Sequence, residues 1–191
     1  MADVEYKRLI MAGPMRWVVL TVDGNPATLA WFVKVCYTVE GFGNVLFVRT
    51  DIGGDGEPDV FAVYTDSLPV AQHLRDDIFD YTIFAGSAGR PSPASIVEAT
   101  FESRDDGPHE VVESMSAEDG TEVVLSLRGL DAPTAYVRQV KERVTEVGAF
   151  AVPDEFALMI NGRTPAGQPE MGPLAQAPPV GVDLQNLWYE T

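Results

Sequence analysis

Two apolar runs separated by a glycine-rich turn form the clearest pattern along the chain. Residues 45–49 and 60–65 are rich in β-branched, aromatic and aliphatic side chains, which favour strands over helices. Between them, residues 53–58 contain three glycines and end in Pro58, so neither strand continues through this stretch. The pattern therefore predicts a long β-hairpin over residues 44–66.

A register in which Thr50 pairs with Val60 makes both faces of this hairpin apolar. The residues on one face are then Leu46, Val48, Val60, Ala62 and Tyr64, and those on the other are Val45, Phe47, Arg49, Phe61 and Val63. A strand pair that is apolar on both faces must be covered on both faces. We therefore predict that the hairpin lies in the middle of the fold, either in a barrel wall or in a sheet covered by a helix.

The pattern elsewhere predicts further strands and one helix. The best helical spacing lies in residues 67–84, where the apolar positions are Ala71, Leu74, Ile78 and Tyr81. Residues 131–148 are compatible with a helix near 133–145 or with an irregular lead-in to a strand. Further strands are predicted at residues 96–103, 111–115, 121–127, 146–153 and 156–160. Residues 5–11 and 16–23 form two strands or a strand and its lead-in, and residues 27–40 fit a strand better than a helix that Asn25 and Pro26 would begin.

These elements predict a mainly β protein at the α+β borderline, built as an antiparallel β-barrel or a strongly curved sheet with a flanking helix. In outline this architecture resembles a calycin-type barrel, although Gly13 and Trp17 are too far apart to match the Gly-x-Trp motif of lipocalins. The resemblance implies no functional residue. We predict a single domain over residues 1–163, followed by an extended arm rich in proline and glycine over residues 164–191.

Charge narrows the range of partners. The chain of 191 residues carries a formal net charge of −16, which disfavours binding to DNA, RNA or an anionic membrane. No apolar run reaches the roughly 20 residues of a transmembrane helix, and the N-terminus lacks the pattern of a secretory signal. The excess of arginine over lysine is typical of high-GC bacterial coding. We therefore expect a bacterial, cytoplasmic protein without a nucleic-acid or membrane partner.

The sequence contains no motif for a metal or a cofactor. Its two histidines, His73 and His109, form neither an HxH nor an HExxH spacing, and the single cysteine, Cys36, lies in an apolar run where we expect it to be buried. The acidic residues of the hairpin tip lack EF-hand spacing, and its glycines precede no Lys-Ser or Lys-Thr pair of a phosphate loop. We therefore predict neither a metal nor a cofactor.

The candidates for contact with a small ligand are Arg49, Tyr64, His73 and Tyr81. Arg49 lies on an apolar face of the predicted hairpin, where a guanidinium needs a carboxylate, a carbonyl or a ligand as its partner. Glu98, or Asp51 at the strand end, would supply that partner within the chain. His73 stands four residues before Asp77 on the predicted helix, a spacing that suits a surface ion pair or a catalytic dyad.

Three functions fit these features. The favoured one is a small-molecule binding protein whose apolar barrel interior takes a hydrophobic or aromatic ligand. The second is a metal-independent enzyme (an isomerase, cyclase or lyase) that uses a buried tyrosine, histidine or carboxylate as acid or base. The third is an accessory or scaffold protein that forms a homodimer through its C-terminal arm. The apolar residues at the end of that arm, which would dock it on the body of the chain or on a second copy, are Leu184, Leu187, Trp188 and Tyr189.

Overall fold

The computed structural model describes residues 7–53, 55–79, 94–170 and 177–191. The protein is mainly β, with 68% strand and 7% helix, which confirms the predicted class. Its strands are β1 (Arg8–Val22), β2 (Asn25–Thr38), β3 (Gly41–Thr50), β4 (Val60–Thr65), β5 (Ser95–Asp105), β6 (Glu110–Ala117), β7 (Glu122–Leu130), β8 (Thr134–Lys141), β9 (Val144–Ala151), β10 (Pro153–Ile160), β11 (Gln168–Pro169) and β12 (Val180–Glu190).

The twelve strands form one sheet in the order β10-β7-β6-β5-β4-β3-β2-β1-β12-β9-β8, and the short β11 pairs with β1. Neighbouring strands are antiparallel except β4 and β5, which are parallel. The described strands do not close into a barrel, because β10 and β8 remain the two ends of the sheet. The calycin-like barrel is therefore not confirmed.

The predicted hairpin is confirmed as β3 and β4, near the middle of the sheet. Thr50 pairs with Val60, in the register that the apolar pattern predicts. Phe47 belongs to the apolar core on one side of the sheet, and Tyr64 belongs to the core on the other side. Both faces of the hairpin are covered, as its composition requires.

One face of the central strands is covered by the other end of the same sheet. β5 pairs with β4 through residues 95–98 and then with β6 through residues 99–105, so β5, β6, β7 and β10 fold over this face. Tyr64 of β4 is buried in one cluster with Leu125 of β7 and Leu158 of β10. We call this cluster the inner core.

The opposite face is covered by a helical segment, residues 68–78. The α-helix α1 (Leu68–His73) begins this segment, and a π-helix (Leu74–Ile78) continues it. Leu74 is completely buried against the central strands, in one cluster with Trp31 and Phe47. We call this cluster the helix-side core.

The helix predicted over residues 67–84 is thus confirmed for its first part. Ala71, Leu74 and Ile78 are buried, as the helical spacing requires. Tyr81 and the rest of the predicted helix lie outside the described residues. None of the described helices has both the length and the apolar character that a lipid bilayer demands of a spanning segment.

The described parts of the stretches 5–11 and 16–23 belong to one continuous strand, β1. Gly13 and Pro14 lie at an irregularity in the pairing of β1, between Gly13 and Met15. A Cβ atom on Gly13 would lie 2.0 Å from the carbonyl oxygen of Lys34, so the glycine permits a close approach of β2 instead of ending the strand. β2 itself is confirmed as a strand.

Cys36, which we expected to be buried, is exposed near the end of β2. Its neighbour Val35 faces the helix-side core, so the side chain of Cys36 points to the opposite side of the sheet. The pairing of β2 with β3 is irregular between Val35 and Thr38, close to the end of this hairpin. The apolar run alone did not reveal that the inner core no longer covers this position.

Of the two alternatives for residues 133–145, the helix is wrong and the strand is confirmed, because this region forms the antiparallel hairpin β8–β9. Val137, Val140, Val144 and Val147 recur at helical spacing, but β-branched side chains suit strands. β9 pairs with β12 on its other side, a contact between distant parts of the chain that local spacing does not reveal. Arg143 makes the tight turn between the two strands, with φ of 71°.

The end of the predicted C-terminal arm is an interior strand. β12 pairs with β1 on one side and with β9 on the other. Trp188 is 1% exposed and lies in the helix-side core of its own chain, so it is not available to a second copy. An irregularity in pairing between Asp183 and Gln185 interrupts the alternation of inward and outward residues. The sequence therefore lacks the regular alternation by which a strand is recognised.

Candidate functional site

An open cleft of about 250 Å³ lies on the helix side of the sheet. It is bounded by the helical segment, the start of β1, the β8–β9 turn and the end of β12. Its apolar lining consists of Ile10, Ile78, Val144 and Trp188. Its charged or ionisable lining consists of Arg8, His73, Asp77, Lys141, Arg143 and Glu190.

The sheet places the residues of this cleft by strand pairing. Arg8 of β1 is the register partner of Glu190 of β12, and its Nε lies 3.3 Å from the Glu190 carboxylate. The backbone N–H of Thr191, directly after β12, donates to the carbonyl oxygen of Arg143 at 2.9 Å, so the end of β12 is hydrogen-bonded to the β8–β9 turn. The floor and rim of the cleft are therefore held by main-chain hydrogen bonds of three strands.

Of the four residues predicted to contact a ligand, His73 lines the cleft. Its Nδ1 lies 3.0 Å from Oδ2 of Asp77, as the spacing of four residues predicts. The side chain of His73 is 15% exposed, and its Nε2 is buried without a hydrogen-bond partner among the described residues. Trp188 is the second such residue in the cleft lining, because its buried Nε1–H also finds no described partner.

Arg143 gives the cleft an accessible positive charge. It is exposed, and its guanidinium makes no ion pair with another described residue. By contrast, the Arg8 guanidinium on the same rim is balanced by the Glu190 carboxylate. The cleft thus combines an apolar floor with unbalanced positive charge in a chain whose formal net charge is −16.

Tyr64 lies on the other side of the sheet, in the inner core. Its hydroxyl is buried and donates to Oγ1 of Thr121 at 3.1 Å, with Oδ2 of Asp119 at 3.4 Å. Burial raises the pKa of Tyr64 to about 12, and the nearby Asp119 charge acts in the same direction. These contacts are internal to the fold.

Arg49 lies on the helix-side face but does not line the cleft. Its Nη1 donates to the carbonyl oxygen of Pro26 at 3.1 Å, at the beginning of β2. Tyr64 projects from the opposite face, and Tyr81 lies outside the described residues. The structure therefore does not bring the predicted residues Arg49, Tyr64 and His73 into one pocket.

Among the described residues, the arginine that is buried is Arg16, which sequence reasoning missed. Its side chain is 7% exposed, and its Nε lies 3.2 Å from Oε1 of Glu113, with Asp105 further off at 3.6 Å. Burial raises the pKa of the Glu113 carboxyl, against the opposing effect of the Arg16 charge. The available signal was an arginine inside an apolar run, Met15 to Leu20.

A second group that the sequence did not reveal is a buried cluster of Tyr136, Glu146, Asp183 and Asn186, which we call the acid cluster. The Tyr136 hydroxyl oxygen lies 2.9 Å from Oε1 of Glu146 and 2.5 Å from Oδ2 of Asp183. Nδ2 of Asn186 lies 2.5 Å from the same Glu146 oxygen and 2.9 Å from the same Asp183 oxygen. Both carboxylates are almost fully buried.

The hydrogen bonds of the acid cluster require one extra proton. The Tyr136 hydroxyl has a single hydrogen, so it donates to one carboxylate and must receive a proton from the other. Arg138 binds the far oxygen of Glu146 through Nε at 2.8 Å, so this carboxylate has a cation as its partner. A proton on Asp183 would let Asp183 donate to Tyr136 and Tyr136 donate to Glu146.

The electrostatics of the acid cluster agree with this arrangement. Burial raises the pKa of Asp183, and the charge of Glu146 acts in the same direction, while the contacts with Tyr136 and Asn186 oppose the shift. Burial also raises the pKa of the Tyr136 hydroxyl, with the two carboxylates adding to the shift. The acid cluster can thus hold a proton and pass it along a short chain of oxygens.

An acidic side chain of the hairpin tip accepts hydrogen bonds from backbone N–H groups of the same turn. The Asp51 carboxylate accepts hydrogen bonds from the N–H groups of Asp55 at 3.1 Å and Gly56 at 2.6 Å. Across the ranges that the structure describes, no three histidine, cysteine or acidic side chains are grouped so that they could bind a metal ion.

Comparison with known proteins assigns neither a family nor a function to this chain. No protein-family model matches the chain, and no curated protein is significantly similar to it. The cleft and the acid cluster therefore carry the functional interpretation by themselves.

Proposed function

We propose that this protein binds a small hydrophobic or aromatic molecule in the cleft beside the helical segment. The observation that carries the proposal is the apolar floor of the cleft, where the indole of Trp188 lies among aliphatic side chains. Concave sites with an apolar floor and a few polar groups are typical of ligand pockets. The volume of about 250 Å³ lies below the roughly 300–1,000 Å³ of pockets for drug-sized ligands, which favours a ligand of one or two rings.

This location differs from the barrel interior that the apolar pattern suggested. The inner core is filled by buried side chains of the central strands and of the strands folded over them, such as Phe32, Leu46, Leu125 and Leu158. A small cavity beside Arg16 measures about 10 Å³, which is room for no more than a water molecule. The helix-side cleft is therefore the better candidate for a ligand site.

A thermal-shift screen with one-ring and two-ring aromatic compounds tests this proposal. A ligand that binds the native state raises the melting temperature of the wild type. Ile10→Trp fills the cleft and should abolish the shift, whereas Val137→Trp adds the same side chain at an exposed position of β8 and should retain it. The proposal is overturned if no compound shifts the wild type, or if Ile10→Trp responds as strongly as Val137→Trp.

The acid cluster favours a metal-independent enzyme as a second candidate function. Glu146 is the register partner of Trp188, so the acid cluster begins beside the floor of the cleft. A proton chain of Asp183, Tyr136 and Glu146 would suit an isomerase or lyase that removes and returns a proton on carbon. Exchange of the benzylic hydrogens of an arylacetic acid in D₂O, lost in Asp183→Asn, would support this function. Equal exchange in the variant or none in the wild type would exclude this reaction.

A further inference from the structure

We infer that the cleft binds an aromatic monocarboxylate, with the carboxylate at the β8–β9 turn and the ring on Trp188. This inference rests on the proposed function and specifies the chemical class of its ligand. Four observations carry it: the charge of the rim, the unpaired arginine, its backbone conformation and the unsatisfied ring nitrogens.

The charge of the rim suits one negative charge. Three cations, Arg8, Lys141 and Arg143, face two carboxylates, Asp77 and Glu190, so the lining has one net positive charge when His73 is neutral. The whole chain has more than twice as many acidic as basic residues, 29 against 13, which makes a positive lining unusual for this surface. A ligand with one negative charge balances it, whereas a dianion such as a phosphate monoester would leave one net negative charge in the cleft.

Arg143 is the residue best placed to receive the carboxylate. Other arginines of the protein are engaged by acidic side chains: Arg75 by Asp76, Arg104 and Arg128 by Glu110, and Arg138 by Glu146. Arg143 makes no such pair within the described residues, although acidic residues are abundant. A guanidinium matches a carboxylate through two parallel hydrogen bonds.

The backbone of Arg143 gives independent support. Its φ of 71° lies in the left-handed region, which glycine and asparagine occupy at lower cost than arginine. Residues held in such a conformation are concentrated at sites where the side chain is used. A turn that needed only to reverse the chain would favour glycine here.

The ring nitrogens of the cleft lining supply further polar contacts. Nε1 of Trp188 and Nε2 of His73 are both buried, and neither finds a hydrogen-bond partner among the described residues. A buried N–H without an acceptor is costly, so a ligand oxygen that accepts from Trp188 would stabilise the bound state. With Nδ1–H donated to Asp77, Nε2 of neutral His73 is an acceptor, so it suits a ligand N–H or O–H and the carboxylate is left to Arg143 and Trp188.

Matched pairs of acid and amide test this inference by isothermal titration calorimetry. The probes are 2-naphthoate with 2-naphthamide and indole-3-acetate with indole-3-acetamide, together with 2-naphthyl phosphate as a dianion. We expect each acid to bind about tenfold more tightly than its amide at low salt, since one charge-assisted pair adds this much, and to weaken as salt is raised. The dianion should bind less tightly than 2-naphthoate.

Arg143→Gln should bring the affinity of each acid close to that of its amide and leave the affinity of the amide unchanged. Arg163→Gln removes the same charge from an exposed arginine that does not line the cleft, and should leave both affinities as in the wild type. Equal binding of acid and amide, or an acid affinity that survives in Arg143→Gln, overturns the inference while the proposed function stands. Absence of binding by every acid and every amide overturns both.

Discussion

The two faces of the sheet are built from the same central strands, yet they treat their charged residues differently. On the inner face, four strands of the chain cover the central strands, and the buried guanidinium of Arg16 meets the Glu113 carboxylate at 3.2 Å. On the opposite face, the short helical segment covers the central strands and leaves the cleft open beside it. The buried arginine of the inner face has a carboxylate beside it, whereas the cleft on the opposite face exposes Arg143 without an acidic partner among the described residues.

The two arginines Arg16 and Arg143 lie on opposite faces and differ in exposure and in their acidic partners. Arg16 is 7% exposed and lies near two carboxylates, so its role is internal to the fold. Arg143 is exposed and has no acidic partner among the described residues. Substitution of the first should therefore affect stability, and substitution of the second should affect binding.

The largest expected effect is that of Arg16→Met on stability. It leaves the Glu113 carboxylate buried without its cation and should lower the free energy of unfolding by about 3–5 kcal/mol. Urea denaturation at pH 7 measures the loss. Because burial already raises the pKa of Glu113, the loss should shrink at acidic pH, where Glu113 becomes neutral.

The double variant Arg16→Met/Glu113→Leu is the control for this prediction. With both charges replaced by apolar groups, most of the lost stability should return. If Arg16→Met alone were as stable as the wild type, the Arg16–Glu113 pair would be solvated. The two faces would then not differ in how their arginines are paired.

The second prediction concerns Asp183 on the helix-side face. Its pKa in the folded protein is raised above the ordinary 3.8, so its contribution to stability is fully present below that value and is lost as pH rises through the folded pKa. Asp183→Asn mimics the protonated side chain and should stabilise the protein at pH 8 by about 1–3 kcal/mol relative to the wild type. The difference should vanish near pH 3.

Urea denaturation of both proteins across this pH range measures the effect, and Asp106→Asn at an exposed turn is the matched control. The groups facing Asp183 are the Tyr136 hydroxyl, the Asn186 side chain, the backbone N–H of Ala149 and the charge of Glu146. If Asp183→Asn destabilised the protein at pH 8, the extra proton of the acid cluster would lie elsewhere.

The parts of the fold that sequence reasoning predicted are those specified by neighbouring residues. The hairpin β3–β4 needed only two apolar runs and a glycine-rich turn, and its register follows from the side chains on each face. β8 and the start of β9 stayed open between helix and strand because valines at helical spacing also suit a strand, and β9 is held partly by the distant β12. β12 was misread because an irregularity near Gln185 breaks its alternation.

The candidate site was less predictable than the fold. Its lining comes from four segments far apart in the chain: residues 8–10, 73–78, 141–144 and 188–190. No local sequence pattern indicates that these segments lie close together in space, because their proximity depends on the order of strands in the sheet. His73 was selected for its spacing to Asp77, which is a local property, whereas Arg143 gave no signal until the turn was known.

Tyr64→Phe tests whether a change in the inner core affects stability without affecting binding in the cleft. It removes a hydroxyl that donates to Thr121 and should lower the free energy of unfolding by about 1 kcal/mol. Because Tyr64 lies on the side opposite the cleft, affinity for any cleft ligand should not change. Urea denaturation and titration calorimetry measure the two effects, and reduced ligand affinity would place the ligand in the inner core.

The smallest effect is expected for Arg49→Ala. Arg49 donates one hydrogen bond to the carbonyl oxygen of Pro26, so its loss should lower the free energy of unfolding by less than about 1 kcal/mol. Arg49 shares the helix-side face with the cleft but does not line it, so the affinity for an aromatic acid should match that of the wild type, in contrast to Arg143→Gln. Titration calorimetry of both variants measures this contrast. A loss of affinity in Arg49→Ala alone would move the carboxylate site from the β8–β9 turn to the far end of the β3–β4 hairpin, because the two arginines differ in position and not in charge.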